Sequence, residues 1–333
     1  DAAVFKNAYS HASFTTASMS AVMTGEHPWN IDMMNYTDSS LPNEVETVPE
    51  YLKKRDYRTK GYYEIGAVSA EYGFDQGFDL YENYFVWINS INFEDAFNES
   101  GEPEFTYFHL FGPHQPFLSN NTCSDFSRKM KDTEPTGEFE MKKRYVDNSS
   151  KKLVRECYRD EVMSADKRVG DLLENLKRSG NYRDSMIILT SDHGEGLWDR
   201  QVRGHFGPVY EEQIKVPLIV KFPGNRYSGE KVEDYSRLKD IKPTIEHVVE
   251  GADQEKTSFI DVIEGEKVGE VKSWTVDTKA VIKDDLKLVR TDRNNEYELY
   301  NISDGEERKN IFGEVDVKKM KESIKEMEVT RYN

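Results

Sequence analysis

Four short stretches collect side chains able to hold a metal ion or an anion. Ser191-Asp192-His193-Gly194-Glu195-Gly196 sets a carboxylate beside an imidazole, with a glycine that allows close approach. Asp plus His is a reasonable transition-metal pair, although the same triplet also suits a turn. Gly112-Pro113-His114-Gln115-Pro116 holds one histidine in backbone stiffened by two prolines, and Arg203-Gly204-His205-Phe206-Gly207 holds another between glycines. Either imidazole suits a reactive site or a hydrogen-bonded turn. The fourth stretch runs from Ser10 to Gly25. Its first half is rich in hydroxyls and its second half reads as a short helix stopped by Gly25, so Thr15 falls at a helix N-terminus. Backbone N–H groups there favour an anion, and a Ser or Thr there equally suits an N-cap.

The elements that must position these groups are legible in outline. Residues 105–110, 186–190 and 216–220 form near-continuous apolar β-type runs, the pattern of strands buried on both faces between helices. Between the first two, Tyr158, Val162, Ala165, Val169, Leu172, Leu173 and Leu176 recur at helical spacing up to Gly180, so strand, helix and strand alternate as in an α/β protein. Ligands of open α/β sheets bind beyond the carboxyl ends of strands, and the Asp192 and His114 stretches directly follow two of these runs, while His205 precedes the third. Residues 119–152 are polar and charged and read as a long surface insertion. From about residue 258 the pattern changes to short strands, among them 286–290 and 296–300 around a turn at 292–295, followed by a charged helix from about 315. The expected division is therefore 1–257 for the α/β domain and 258–333 for a small antiparallel subdomain ending in a helix.

Composition bounds the function classes. A chain of 333 residues, 37% hydrophobic, can bury one large core with an appendage or two modest ones. A net charge of −17 and no basic patch argue against a nucleic-acid backbone or an anionic membrane as partner. An anionic substrate would be repelled at long range, so its site must concentrate positive charge locally. The two cysteines, Cys123 and Cys157, form no CxxC pair and suggest neither a disulfide framework nor a structural zinc site. No apolar run approaches the roughly 20 residues of a membrane helix, and residue 1 opens no signal peptide. Compartment and oligomeric state are not readable.

Taken together the stretches resemble the sulfatase family of the alkaline phosphatase superfamily. Phe5-Lys6-Asn7-Ala8-Tyr9-Ser10 is similar to the block that precedes the family's nucleophile, and Thr15 to Gly25 resembles the nucleophile segment itself. Further similar blocks are Tyr72-Gly73-Phe74-Asp75-Gln76-Gly77-Phe78-Asp79, Gly112-Pro113-His114-Gln115-Pro116-Phe117, Thr190 to Glu195, Gly204-His205-Phe206-Gly207, and Val216-Pro217-Leu218-Ile219-Val220. Asp240 to Thr244 and Glu298-Leu299-Tyr300-Asn301, with Glu306, Glu307 and Asn310, resemble the closing segments. The resemblance implies a three-layer α/β/α sandwich with a mostly parallel central sheet, plus the C-terminal antiparallel subdomain.

It also implies an activity: metal-dependent hydrolysis of a sulfate or phosphate ester, with Thr15 as nucleophile. One divalent ion (Ca, Mn, Mg or Zn) would be held by Asp192, His193 and Thr15, and His114 and His205 would bind ester oxygens or protonate the leaving group. Members carry one or two further acidic metal ligands upstream of the Phe5 block, before residue 1 of this chain. Cysteine is absent at the nucleophile position, and Ala17 and Met19 replace the proline and arginine of formylglycine-forming sulfatases. Thr15 instead resembles the threonine of lipoteichoic-acid-synthase-like phosphotransferases. A formylglycine hydrate expels sulfate by collapsing to the aldehyde, whereas an esterified threonine waits for water or an alcohol, which leans toward phosphoryl chemistry. The expected substrates are a small anionic ester or a sulfated or phosphorylated glycan or lipid. The alternatives are a phosphotransferase moving a phospho-alcohol group to an acceptor alcohol and a non-catalytic binding protein on the same scaffold.

Overall fold

A computed structural model describes residues 1–333 except 36–37, 85–96, 98–101, 118–120, 126–147, 199, 201, 206, 254, 304–306, 308 and 330–333. The first strand, β1 (Ala3–Tyr9), buries Ala3, Phe5, Ala8 and Tyr9. Residues 10–14 turn into α1 (Thr15–Thr24), in which every residue is buried. Gly25 ends this helix at φ 74°, a left-handed conformation open to glycine, and its N–H donates to the Ala21 carbonyl at 2.9 Å. Next comes α2 (Val48–Lys53), started by a reciprocal capping box between Thr47 and Glu50. After it, β2 (Arg58–Tyr63), β3 (Leu80–Asn83) and β4 (Glu104–His109) form a parallel sheet in the order β3-β2-β4.

The long helix α3 (Asn148–Arg178) leads to β5 (Ile187–Thr190) and then to a two-stranded hairpin of β6 (Gly196–Leu197) and β7 (Arg203–Gly204). One turn of helix, α4 (Glu211–Ile214), precedes β8 (Lys215–Lys221) and β9 (Lys231–Arg237). The second sheet has the order β5-β8-β1-β9: β9 runs parallel to β1, while β8 runs antiparallel to both β1 and β5. Helices α5 (Ile241–Glu250) and α6 (Phe259–Ile263) follow, and Phe259, Ile260 and Val262 share the main core with Phe5, Leu218 and Val232.

The C-terminal sheet is an antiparallel meander of β10 (Val271–Trp274), β11 (Thr278–Lys283), β12 (Leu286–Thr291) and β13 (Glu296–Asn301), closed by α7 (Lys318–Val329). Ile324 and Met327 of α7 join Val281, Leu288 and Trp274 in a core that also takes in Ala12, Phe14 and Ala17. The segment entering α1 is thus clamped between the main sheet and the C-terminal unit.

Two expectations are corrected. The strands read as buried on both faces differ in depth: β8 is largely buried, but all of β4 is only half-buried and Leu189 of β5 is 39% exposed. Among the described residues β4 and β5 are the edge strands of their sheets, so each lacks a neighbour on one flank. The cysteines are not free: Cys123 and Cys157 are disulfide-bonded, with Cα atoms 5.6 Å apart. A 34-residue separation without a short motif carries no pairing signal, and only the packing of the buried Cys123 against the start of α3, with Phe117, Val154 and Trp198, brings the sulfurs together. Most of the insertion expected at 119–152 lies outside the described residues.

Candidate active site

Thr15 is the first residue of α1. The N-cap is Phe14, in extended backbone, and no side chain caps the helix, so the capping role open to a Ser or Thr here is not the one adopted. An uncapped helix start leaves N–H groups directed at whatever lies before it. Thr15 itself is 3% exposed. Ser18, one turn on, donates its hydroxyl to the Asp192 carbonyl at 2.5 Å and contacts the Ser10 hydroxyl at 2.9 Å, which ties the helix to the loop after β5.

That loop brings Asp192 and His193 to the threonine. Thr15 Oγ1 lies 3.3 Å from His193 Nε2, and Asp192 Oδ2 lies 3.3 Å from the same nitrogen. The His193 Nδ1 contacts the Gly194 carbonyl at 2.8 Å. A carbonyl can only accept, so Nδ1 carries a proton, and Nε2 stands between the Thr15 hydroxyl and the Asp192 carboxylate. Burial alone would raise the Asp192 pKa, but the imidazoles of His193 and His109 and a hydrogen bond from Thr15 outweigh it and hold the carboxyl at about 2. Asp192 is therefore an anion at neutral pH.

Two further imidazoles complete a row. The His205 ring lies 4.7 Å from that of His193 and 4.9 Å from that of His114. His114 bonds through Nδ1 to the Gln115 carbonyl, and burial lowers its pKa. His205 Nδ1 lies 3.1 Å from Glu195 Oε2, and Glu195 Oε1 accepts from Gln115 Nε2 at 3.1 Å. Thus Thr15, His114, Asp192, His193 and His205, five residues drawn from four distant stretches, are assembled in one place.

Several members of the assembly escaped sequence reasoning. His109 ends β4, and in sequence it is one polar residue within an apolar run. Its Nδ1 contacts the Tyr107 hydroxyl at 2.7 Å; burial lowers its pKa, and the Asp192 charge pulls the other way. A polar residue closing a strand that points at the Asp192 loop was the signal available. Glu64, directly after β2 and 2% exposed, accepts from the Phe111 N–H at 2.8 Å and takes a two-pronged bond from Arg168 of α3, fixing the start of the His114 loop. Nothing local announces that pair, since its partners are 104 residues apart.

One carboxylate, one imidazole nitrogen and one hydroxyl suit a divalent cation, and no lysine or arginine is prominent among the charges acting on Asp192, only histidines. These donors fit part of a coordination shell. Among the described residues, no three His, Cys, Asp or Glu side chains converge into a complete cage.

The α/β layers with a separate antiparallel C-terminal sheet are those of an alkaline-phosphatase-like fold. The Sulfatase family profile matches residues 1–251, and the chain belongs to the sulfatase family. It is 25% identical over 159 residues to an endo-4-O-sulfatase of Bacteroides thetaiotaomicron, covering 47% of this chain and 31% of that protein. It is 24% identical over 234 residues to lipoteichoic acid synthase 2 of Bacillus subtilis, covering 62% of this chain and 33% of that protein. The chain spans about a third of the length of these curated relatives. Among solved structures, the phosphonate monoester hydrolase SpPMH of Silicibacter pomeroyi superposes with a TM-score of 0.73 at 16% identity, over 99% of this chain and 88% of that one. Among the described residues no helix is long and apolar enough to cross a membrane.

Proposed function

We propose that the protein hydrolyses a sulfate or phosphate ester through Thr15, with a divalent cation held by Thr15, Asp192 and His193. The observation that carries this reading is a buried hydroxyl at the uncapped start of α1, 3.3 Å from an imidazole nitrogen and beside an ionised carboxylate. A bound cation would lower the pKa of the Thr15 hydroxyl and neutralise a non-bridging ester oxygen. The chain's own groups do the rest. Asp192 accepts the Thr15 hydrogen bond, and the N–H groups at the start of α1 face the ester's oxygens. As Thr15 Oγ1 gives its proton to solvent and bonds to phosphorus or sulfur, the ester bond breaks and its electron pair leaves with the alcohol oxygen, which takes a proton from His114 or His205. Water then displaces the acid from Thr15, returning one proton to the same imidazole, while the Thr15 oxygen regains its proton from solvent.

The preferred substrate is a phosphate or phosphonate ester, because a threonine ester has no aldehyde through which to expel sulfate. The likeness to a lipoteichoic acid synthase supports a second reading, in which an acceptor alcohol replaces the water. Hydrolysis of aryl sulfate, aryl phosphate and aryl phosphodiester by metal-reconstituted protein tests both readings. The Thr15→Ala variant is expected to lose at least about 10³-fold in kcat; full turnover by that variant would remove Thr15 from the mechanism. Turnover that appears only on addition of an alcohol acceptor would select the transferase.

A further inference from the structure

The β6–β7 hairpin pairs Gly196 with Gly204 and Leu197 with Arg203. The next residues outward, Glu195 and His205, therefore face each other at its open end. The Glu195 side chain is 7% exposed and that of His205 14%, and Nδ1 lies 3.1 Å from Oε2. The other carboxylate oxygen takes the Gln115 amide N–H at 3.1 Å. A carboxylate has no hydrogen to give once ionised, so both contacts are donations into it. His205 then carries its proton on Nδ1, and its Nε2 is the nitrogen presented to the site. Gln115 is the neighbour of His114, so one carboxylate ties the loop that bears His114 to the strand end that bears His205. The mechanism above gives Glu195 no part, and its burial beside two polar donors is otherwise unexplained.

We propose that Glu195 is a positioning residue that fixes the tautomer and orientation of His205, so that Nε2 meets the oxygen of the leaving alcohol. The catalytic half of this inference rests on the ester-hydrolase reading; the tautomer does not. In the protonated imidazole the Nε2–H donates to the departing oxygen as the ester bond breaks. His205 is left neutral, still bonded through Nδ1–H to Glu195. The logic is that of a carboxylate orienting a catalytic histidine, here built across a hairpin rather than between separate strands.

The test is nitrogen-15 imidazole spectroscopy on the full chain at about pH 8.5, where free imidazoles are neutral, combined with leaving-group kinetics. Wild-type His205 is expected to carry its proton on Nδ1. Glu195→Gln keeps the shape but offers a single acceptor oxygen to two donors, so the tautomer population should shift toward Nε2–H by at least about fivefold. Gln115→Leu removes only the competing donor and should leave the Nδ1–H form in place. For esters of alkyl alcohols, Glu195→Gln should lose about 100-fold in kcat/KM, and for nitrophenyl esters, which need little protonation, under about fivefold. Thermal unfolding of each variant separates these effects from a folding loss. A wild-type His205 protonated on Nε2, or an unchanged tautomer in Glu195→Gln, overturns the inference without reference to any variant's activity. Equal losses for alkyl and nitrophenyl esters overturn its catalytic half. If the wild type turns over no ester, the hydrolase reading fails while the spectra still decide the Glu195 contact.

Discussion

Replacing Gly194 by alanine tests whether the Asp192-His193 loop owes its position to backbone contact. A Cβ built on Gly194 falls 2.1 Å from the Glu212 carbonyl oxygen and 2.8 Å from the carbon of that carbonyl. Carbon and carbonyl oxygen normally approach to about 3.3 Å, so relief needs about 1 Å of movement. The obstructing atoms are backbone, and the Gly194 N–H already donates to the Gln213 carbonyl at 2.8 Å on the same element, so α4 cannot yield without losing that bond. Whichever side shifts, that bond is strained, and the loop that carries Asp192 and His193 shares the displacement. Overpacking of this kind costs about 1–3 kcal/mol of stability, and a 1 Å misplacement of reacting groups costs about 100-fold in rate. Urea unfolding and ester turnover of Gly194→Ala measure the two separately. Gly170→Ala is the control: nothing lies within 4 Å of its Cβ position in α3, and it should gain up to about 1 kcal/mol of helix stability. Wild-type stability and turnover in Gly194→Ala would refute the argument that this contact sets the loop.

Two other outcomes are expected. His11 is buried and His27 half-buried, with ring centroids 4.7 Å apart, and His11 Nε2 and the buried His27 Nδ1 have no hydrogen-bond partner among the described residues. Burial lowers both pKa values, that of His11 to about 3. Their contribution is complete above about pH 6.5 and is lost as pH falls below it, because the unfolded chain then binds protons that the folded chain refuses. The slope is about 1.4 kcal/mol per pH unit for each histidine; urea midpoints at pH 7.5 and 5 should show it, and His27→Phe, which keeps the stack on Trp29, should reduce it by about half. Removing the Cys123–Cys157 bond by a double Cys→Ala change releases a loop closed over 34 residues. The chain-entropy relation gives a loss of about 4 kcal/mol, and a change under about 1 kcal/mol in denaturant unfolding would show that the unfolded state gains little freedom.

The features set by neighbours in sequence were legible. Hydroxyl-rich residues before a short buried helix placed Thr15 at its start, Gly25 marked its end, and the strands at 286–290 and 296–300 lie within β12 and β13. The Asp-His pair after an apolar run pointed to a strand's carboxyl end because period and punctuation are local properties. The resemblance to sulfatases added the grouping of Thr15, His114, Asp192, His193 and His205, which no periodicity could supply. Only tertiary structure decided the rest. Thr15 meets His193 across 178 residues, Glu64 meets Arg168 across 104 and Cys123 meets Cys157 across 34. The pairing of Glu195 with His205 depends on a hairpin register that two-residue strands do not announce. The depth of β4 and β5 likewise followed from their places at the sheet edges rather than from their apolar composition. Composition fixes which side chains favour burial, but the neighbour that covers each one, and so the partner it finds, is a property of the assembled sheets.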